Sequence, residues 1–398
     1  MSPILHARRY DTAEPIAIRL AGDRIDEITP AWPSGPADDW PFVAPGLFDL
    51  QINGHGGTWF SNQGLTADDV ISVLEPHFAH GVTRLCPTLI TASTQALAAG
   101  FAAIDQACRQ QPWVERMVPG CHLEGPYISD VDGPRGAHPL EHIRPADYDE
   151  FSRLQEIAGG RIRLVTLAPE VEQAIPFIER AVADGLVVAI GHTAAEPDQI
   201  SAAVDAGARL STHLGNGAHG TIRRHPNYIW QQLAEPRLHA SIITDGHHLP
   251  PSVIRSILET KTPARSIITC DAAGLAGCPP GVYQEGSMDV EILEDGRIVI
   301  AGQQQLLAGS SLSTDTCVAH AISVADISRG DAFDMAGANP ARLLGFETIE
   351  LKPGSRADLL MFRHAGPGHP LKIVATLACG EIRFGAIPEQ TVSVSARD

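Results

Sequence analysis

Positive charge is scarce in this sequence. Its 398 residues carry 29 Lys and Arg against 47 Asp and Glu, a formal net charge of -18. A nucleic-acid backbone needs a basic footprint, so a general nucleic-acid surface is excluded, and binding to anionic membranes is disfavoured for the same reason. An anionic small molecule would have to be met by a local basic cluster. Paired cysteines are also lacking. There are seven cysteines, an odd count at irregular spacings, with no C-x-x-C. That pattern fits a reduced, cytoplasmic chain better than a disulfide scaffold. No apolar run reaches membrane-spanning length, and the stretch from Met1 to Arg9 has no apolar core of a signal peptide.

What is present is enough apolar sequence, 44% of residues, to bury a large core. The first stretch reads as short strands. Ile16–Leu20 and Arg24–Ile28 alternate around Gly22-Asp23, a hairpin signal. From Pro45 a unit recurs, in which a short apolar run ends in polar residues and a helical pattern follows. The runs are Gly46–Gln51, Gly81–Leu89, Met117–Leu123, Arg161–Leu167, Leu186–Gly191, Ala208–Thr212, His239–Thr244 and Arg265–Cys270. Helical patterns include Thr66–His80, Gln95–Gln110, Gln173–Ala183, Ala195–Ala206 and Pro251–Glu259. Alternating strands and helices indicate a parallel sheet, and eight units indicate a (β/α)8 barrel rather than a doubly wound open sheet. Afterwards Met288–Leu293 and Arg297–Ala301 read as a hairpin, Ser313–Ala325 and Asp331–Leu344 as helices, and strands return from Ala357. The expected class is α/β, a TIM-like barrel over residues 45–350 with a small β-sandwich domain built from both chain ends, 1–44 and 351–398.

Function in such barrels sits at the C-terminal ends of the strands. The third run ends in His122-Leu123-Glu124-Gly125-Pro126, the fifth gives His192, the sixth His213, the seventh Asp245, His247 and His248, and the eighth Asp271. His122 and Glu124, two residues apart on a strand, share one face. A buried carboxylate there must be paired, metal-bound or catalytic. Glu124, His192 and His213 together make a Glu-His-His set suited to zinc, which in catalytic sites keeps three protein ligands plus water. Asp271 is then placed to accept that water's proton and to pass it to a leaving group.

Gln51-Ile52-Asn53-Gly54-His55-Gly56-Gly57, His122 to Pro126, Gly191-His192-Thr193, Thr212-His213-Leu214, Asp245 to His248 and Leu307 to Leu312 resemble the N-acetylglucosamine-6-phosphate deacetylase family of the amidohydrolase superfamily. The likeness spans nearly the whole chain. It implies hydrolysis of an N-acetylated amino-sugar phosphate, with Glu124, His192 and His213 on one divalent metal ion, expected to be Zn, and Asp271 as general base and acid. It implies that His138 contacts the acetyl carbonyl. It also implies substrate contacts at Ala137, Asn216, Gly217, Arg224, His248, Leu307, Ala308 and Gly309. The phosphate contact falls within Arg223-Arg224. Many amidohydrolases carry His-x-His on the first strand and bind two metals. Gln51 and Asn53 stand there instead, and amides are poor zinc ligands. A subgroup that bridges two metals with a lysine on strand four is disfavoured, since Lys261, Lys352 and Lys372 are the only lysines. A homodimer or homotetramer is expected. The alternatives are a deacetylase for another N-acyl amino sugar and a non-catalytic sugar-binding barrel.

Overall fold

The computed structural model describes residues 4–285, 288–389 and 392. The outermost parts of the two expected terminal pieces, residues 1–3 and 393–398, lie outside them. Eight parallel strands run in sequence order around the barrel: Leu47–Ile52, Val82–Ile90, Cys121–Glu124, Ile162–Leu167, Val187–Ile190, Leu210–Ser211, His239–Ile243 and Ser266–Thr269. Every adjacent pair is in parallel register. The seam between the first and last strands is spanned by a bridge from Ile52 to Ala272 and by the Asn53 N–H on the Ala272 carbonyl at 2.8 Å.

A buried carboxylate fastens that seam. Asp49 accepts hydrogen bonds from the N–H groups of Gln51 at 3.0 Å and Cys270 at 2.9 Å, from the Thr314 hydroxyl at 2.7 Å, and from the Thr269 hydroxyl. Burial pushes its carboxyl up from the ordinary value, against the pull of those donors. The interior below the site is apolar. Phe48, Leu50, Cys86, Leu164, Ala189, Leu210 and Ile267 pack on Ala341 and Leu344, so the helix Ala338–Leu343 and the residue after it plug the bottom.

Helix starts follow local chemistry. Thr66 and Asp69 form a capping box before Ala67–Leu74, and a Glu75–His80 turn of 3₁₀ helix completes the expected Thr66–His80 segment. Pro251 opens Pro251–Lys261, where its missing N–H costs nothing. Two expectations need correction. The apolar residues from Met117 do not begin the third strand. Val114 and Met117 are one buried helical face of Pro112–Met117, which starts at a proline, and the strand begins at Cys121. The segment Asp331–Leu344 is two helices, Arg329–Met335 and Ala338–Leu343, rather than one. Pro340 lacks the N–H that one continuous helix would direct at the Ala336 carbonyl, and that carbonyl accepts the Phe48 N–H at 2.7 Å instead.

The chain ends meet in one seven-stranded sheet. Its order is Glu381–Gly385, Lys372–Ala378, Leu359–Arg363, Phe42–Pro45, Ile4–Arg9, Pro15–Ala21 and Arg24–Pro30. The side-chain period of two divides its faces. Val43, Leu359 and Met361 join a core with Leu5, Ile18 and Leu351, while Phe42, Ala44, Leu360 and Phe362 join the core of the barrel. A four-stranded antiparallel sheet, Gly281–Glu285, Met288–Ile292, Arg297–Ile300 and Gln303–Ser310, follows the eighth barrel strand and contains the expected hairpin.

Candidate active site and metal centre

The barrel interior changes from apolar to polar towards the strand ends. His122 donates or accepts at Thr166 Oγ1 across 2.7 Å, and Thr166 bonds Thr212 at 2.7 Å. Burial pushes the His122 imidazole down to about 4, so it is neutral in this layer. Although His122 shares a face with Glu124, it sits one pleat deeper and belongs to this belt.

Above it three donor atoms converge. Glu124 Oε1 is 3.0 Å from His213 Nε2 and 3.4 Å from His192 Nε2, and the two imidazole nitrogens are 3.0 Å apart. All three residues are buried, and their ligand atoms lie within 4.8 Å of one another. Among the described residues this is the one such group of three or more His, Cys, Asp and Glu side chains. Burial would raise the Glu124 carboxyl, but the hydrogen bonds and charges of His192 and His213 outweigh it and hold it well below the carboxylate range. Burial likewise opposes a charged His213, and Glu124 pulls it back above the ordinary value.

The set suits a divalent cation in its donors as well as its spacing. His192 Nδ1 sits 2.9 Å from the Pro134 carbonyl, which can only accept, so Nδ1 carries a proton and Nε2 is the atom turned to Glu124 and available to a cation. Gly217 guards that arrangement. Its φ is +55°, and a Cβ there would lie 2.8 Å from His192 Nδ1. His192 and His213, with φ of 49° and 31°, and Asp271, with 52°, all turn off their strands in the left-handed region. Such strain clusters where side chains must be aimed.

Asp271 stands beside the set. Its Oδ1 accepts from Asn53 Nδ2 at 2.7 Å and from Gln51 Nε2 at 2.9 Å, and the same Gln51 nitrogen donates to Glu124 Oε1 at 2.8 Å. Burial, then the charge of Glu124, push the Asp271 carboxyl up to about 6. The sequence marks Gln51 and Asn53 only as missing ligands. The Gln51 amide joins the two carboxylates, and the Asn53 amide holds Asp271.

His138 is buried, with its ring centroid 4.3 Å from that of His192 and its Nδ1 2.8 Å from the Thr91 hydroxyl. Burial pushes it down to about 3, so it is neutral. Ala137 adjoins it and is half-buried. Asn216 and Gly217 line a small cavity with His192, Thr193 and Tyr228. His248 bonds Asp245 Oδ2 through Nδ1 at 2.7 Å, and Asp245 also accepts from Ser310 Oγ at 3.1 Å. Leu307, Ala308 and Gly309 are on the strand Gln303–Ser310, whose end pairs with the exit of the eighth barrel strand: Ala273 N–H reaches the Ser310 carbonyl at 2.8 Å. Gly309, with φ +88°, comes close enough that a Cβ would meet Ala273 Cβ at 2.8 Å. Arg224 is exposed, and among the described residues it makes no ion pair and no contact with the Glu124 set. Glu170 and His55, at other strand ends, serve neighbours instead. Glu170 accepts the Ala194 N–H at 2.6 Å, and the His55 ring lies edge-on to His77.

Comparison with known proteins places this geometry. The family description Amidohydrolase family matches residues 42–385. The N-acetylgalactosamine-6-phosphate deacetylase of Escherichia coli is 32% identical over 90% of this chain and 95% of its own. The human N-acetylglucosamine-6-phosphate deacetylase is 32% identical over 86% of this chain and 84% of its own. A mutant N-acetyl-D-glucosamine-6-phosphate deacetylase from Mycobacterium smegmatis, in complex with N-acetyl-D-glucosamine-6-phosphate, superposes with a TM-score of 0.83 at 31% identity, over 96% of this chain and 99% of that one. With a nearly closed barrel, a Glu-His-His set at its strand ends and this extent of match, the chain belongs to the amidohydrolase family.

Proposed function

We propose that this protein hydrolyses the acetamide of N-acetyl-D-glucosamine 6-phosphate, giving glucosamine 6-phosphate and acetate. The observation that carries the reading is the convergence of Glu124, His192 and His213 beside Asp271, with Gln51 donating to both carboxylates. Its relatives with 30% identity or more along most of the chain are named as deacetylases of amino-sugar 6-phosphates.

Glu124, His192 and His213 would hold one divalent ion, and Zn fits two imidazoles and a carboxylate. Such an ion acidifies water to a pKa of roughly 7 and polarises a carbonyl. Asp271 takes the proton of the attacking water as its oxygen adds to the acetyl carbon. When the C–N bond breaks, Asp271 returns that proton to the departing amine nitrogen. Gln51 and Asn53 hold the Asp271 carboxylate in place through its Oδ1 throughout. Neutral His138, anchored through Nδ1 to the Thr91 hydroxyl, in this reading donates to the acetyl oxygen, where charge develops. Ala137, Asn216, Gly217, His248 and Leu307 to Gly309 surround the sugar in this reading, and Arg224, exposed and without an ion pair among the described residues, grips the phosphate through paired N–H donors. The assembly is a homodimer or homotetramer.

A second substrate reading has a specific observation behind it, since the Escherichia coli relative is named for the galactosamine epimer. Amine release from both N-acetylhexosamine 6-phosphates separates the two. A higher kcat/KM on the galacto sugar would transfer the assignment to that epimer.

A further inference from the structure

At the N-terminal ends of the barrel strands, away from the Glu124 set, the barrel meets the seven-stranded sheet. A cavity of about 320 Å³ lies in that seam, lined among others by Thr83, Trp113, Arg116, Arg356, Cys379 and Arg383. Thr83 lies at the start of the second barrel strand, Trp113 and Arg116 are on the helix Pro112–Met117, and Arg383 is on the edge strand Glu381–Gly385. Three guanidinium groups on one small cavity are conspicuous in a chain of net charge -18.

Their partners differ. Arg356 lies 2.7 Å from Asp358, whose side chain is 1% exposed, so its charge is answered within the fold. Arg383 pairs with Glu381 at 2.7 Å, but that carboxylate is 72% exposed, and exposed pairs contribute little. Arg116 is exposed and pairs with no carboxylate within salt-bridge distance among the described residues, while the Cys379 sulfur accepts from Arg356 Nη2 at 3.5 Å. Glu381 also lines the cavity, so an oxyanion gripped through the paired N–H groups of Arg116 and Arg383 takes the place of that exposed carboxylate. The Trp113 indole, 5.6 Å from the Phe78 ring and 5.8 Å from the Arg383 guanidinium, offers a fixed flat wall. The volume is in the range that ligand pockets occupy, roughly 300–1,000 Å³.

We propose that this seam is a second ligand site, separate from the Glu124 set, for a phosphate monoester carried on a small ring. The phosphate lies between Arg116 and Arg383, and the ring lies on Trp113. The ligand touches the barrel helix and the terminal sheet at once.

The probe is glucose 6-phosphate, titrated calorimetrically into the metal-loaded full chain, with tryptophan fluorescence recorded in parallel. A saturable event is expected. Arg116→Ala and Arg383→Ala should each weaken it by about tenfold or more, equivalent to 1.4 kcal/mol, and leave amine release at the Glu124 set unchanged. Trp113→Phe should abolish the fluorescence change while heat persists. Unphosphorylated glucose should give no event. Binding equal in wild type and both arginine variants places the ligand elsewhere and overturns the proposal, as does the absence of any event at millimolar probe. The proposed deacetylation is unaffected by either outcome, because its assay reads a different end of the barrel.

Discussion

His192 Nε2 and His213 Nε2 face each other across 3.0 Å, with Glu124 Oε1 at 3.0 Å from the second. At that distance one nitrogen must carry a proton, or both must turn lone pairs to a shared cation. The Pro134 carbonyl fixes the His192 proton on the far nitrogen. The gap between the two Nε2 atoms is then filled by a proton shared with Glu124, or by a cation. Adding Zn²⁺ to metal-free protein should therefore raise its melting temperature, by an amount equivalent to about 2.7 kcal/mol when free metal is at 100 times Kd. A chelator should reverse the gain. Calorimetry on Glu124→Gln should show most of it gone, and an undiminished shift in that variant would place the metal elsewhere.

The Gln51 side chain occupies the space between Glu124 and Asp271 and donates to both. A second cation bridging these carboxylates would have to displace that amide. Elemental analysis of the purified protein should give about one divalent ion per chain, in line with a site of three protein ligands. Two tightly held ions per chain would contradict the role given to Gln51.

Asp271→Asn keeps the shape and an acceptor for Asn53, but it cannot take up a proton. Turnover should fall by about 10²–10⁴, the range that general acid–base catalysis supplies. The variant should still bind one metal ion, because Asp271 is outside the Glu124 set. Steady-state kinetics with near-native turnover would remove Asp271 from the chemistry.

The loop carrying Ala137 and His138 is tied to the helix Tyr148–Ile157 by Glu150. This buried carboxylate accepts from Arg144 Nη2 at 2.7 Å, from Tyr127 at 3.1 Å and from Thr94. Burial raises its carboxyl, and those bonds more than offset it, so the net shift is downward. A lowered carboxyl contributes stability that is full above its unfolded value and is lost as pH falls through the folded one. Glu150→Gln should thus cost about 1–3 kcal/mol at pH 7, with the difference from wild type shrinking below about pH 4.5. Thermal unfolding against pH reads this directly, and a constant difference down to pH 3 would show that the charge is not what matters.

The barrel was legible because buried parallel strands read as short apolar runs, such as Val187–Ile190, each followed by a helical pattern. The Glu-His-His set was legible as a candidate because strand ends carry function, but His122, Asp245, His247, His248 and Asp271 stood at strand ends too, and the convergence of donor atoms comes from the fold. Other features depend on contacts between distant segments. Met117 looks like a strand start until it is seen to close the helix Pro112–Met117, whose Val114 and Met117 face one core. The break near Gly337 has a local signal in Pro340, but the partner of the freed Ala336 carbonyl is Phe48, almost 300 residues earlier in the chain. Gln51 looks like a lost ligand in sequence, and only its neighbours reveal a donor serving two carboxylates. The Pro134 carbonyl that sets the His192 tautomer carries no side-chain signal at all.

The central claim is that the Glu124 set and Asp271 together cleave the acetamide of an amino-sugar phosphate. Amine release from N-acetyl-D-glucosamine 6-phosphate, measured with metal-loaded wild type beside Glu124→Gln, tests it most directly. The account predicts steady turnover in the wild type, a preference over the unphosphorylated sugar, and loss of turnover in the variant together with its metal. A wild-type protein holding one ion per chain that releases no amine from any N-acetylhexosamine 6-phosphate would contradict it.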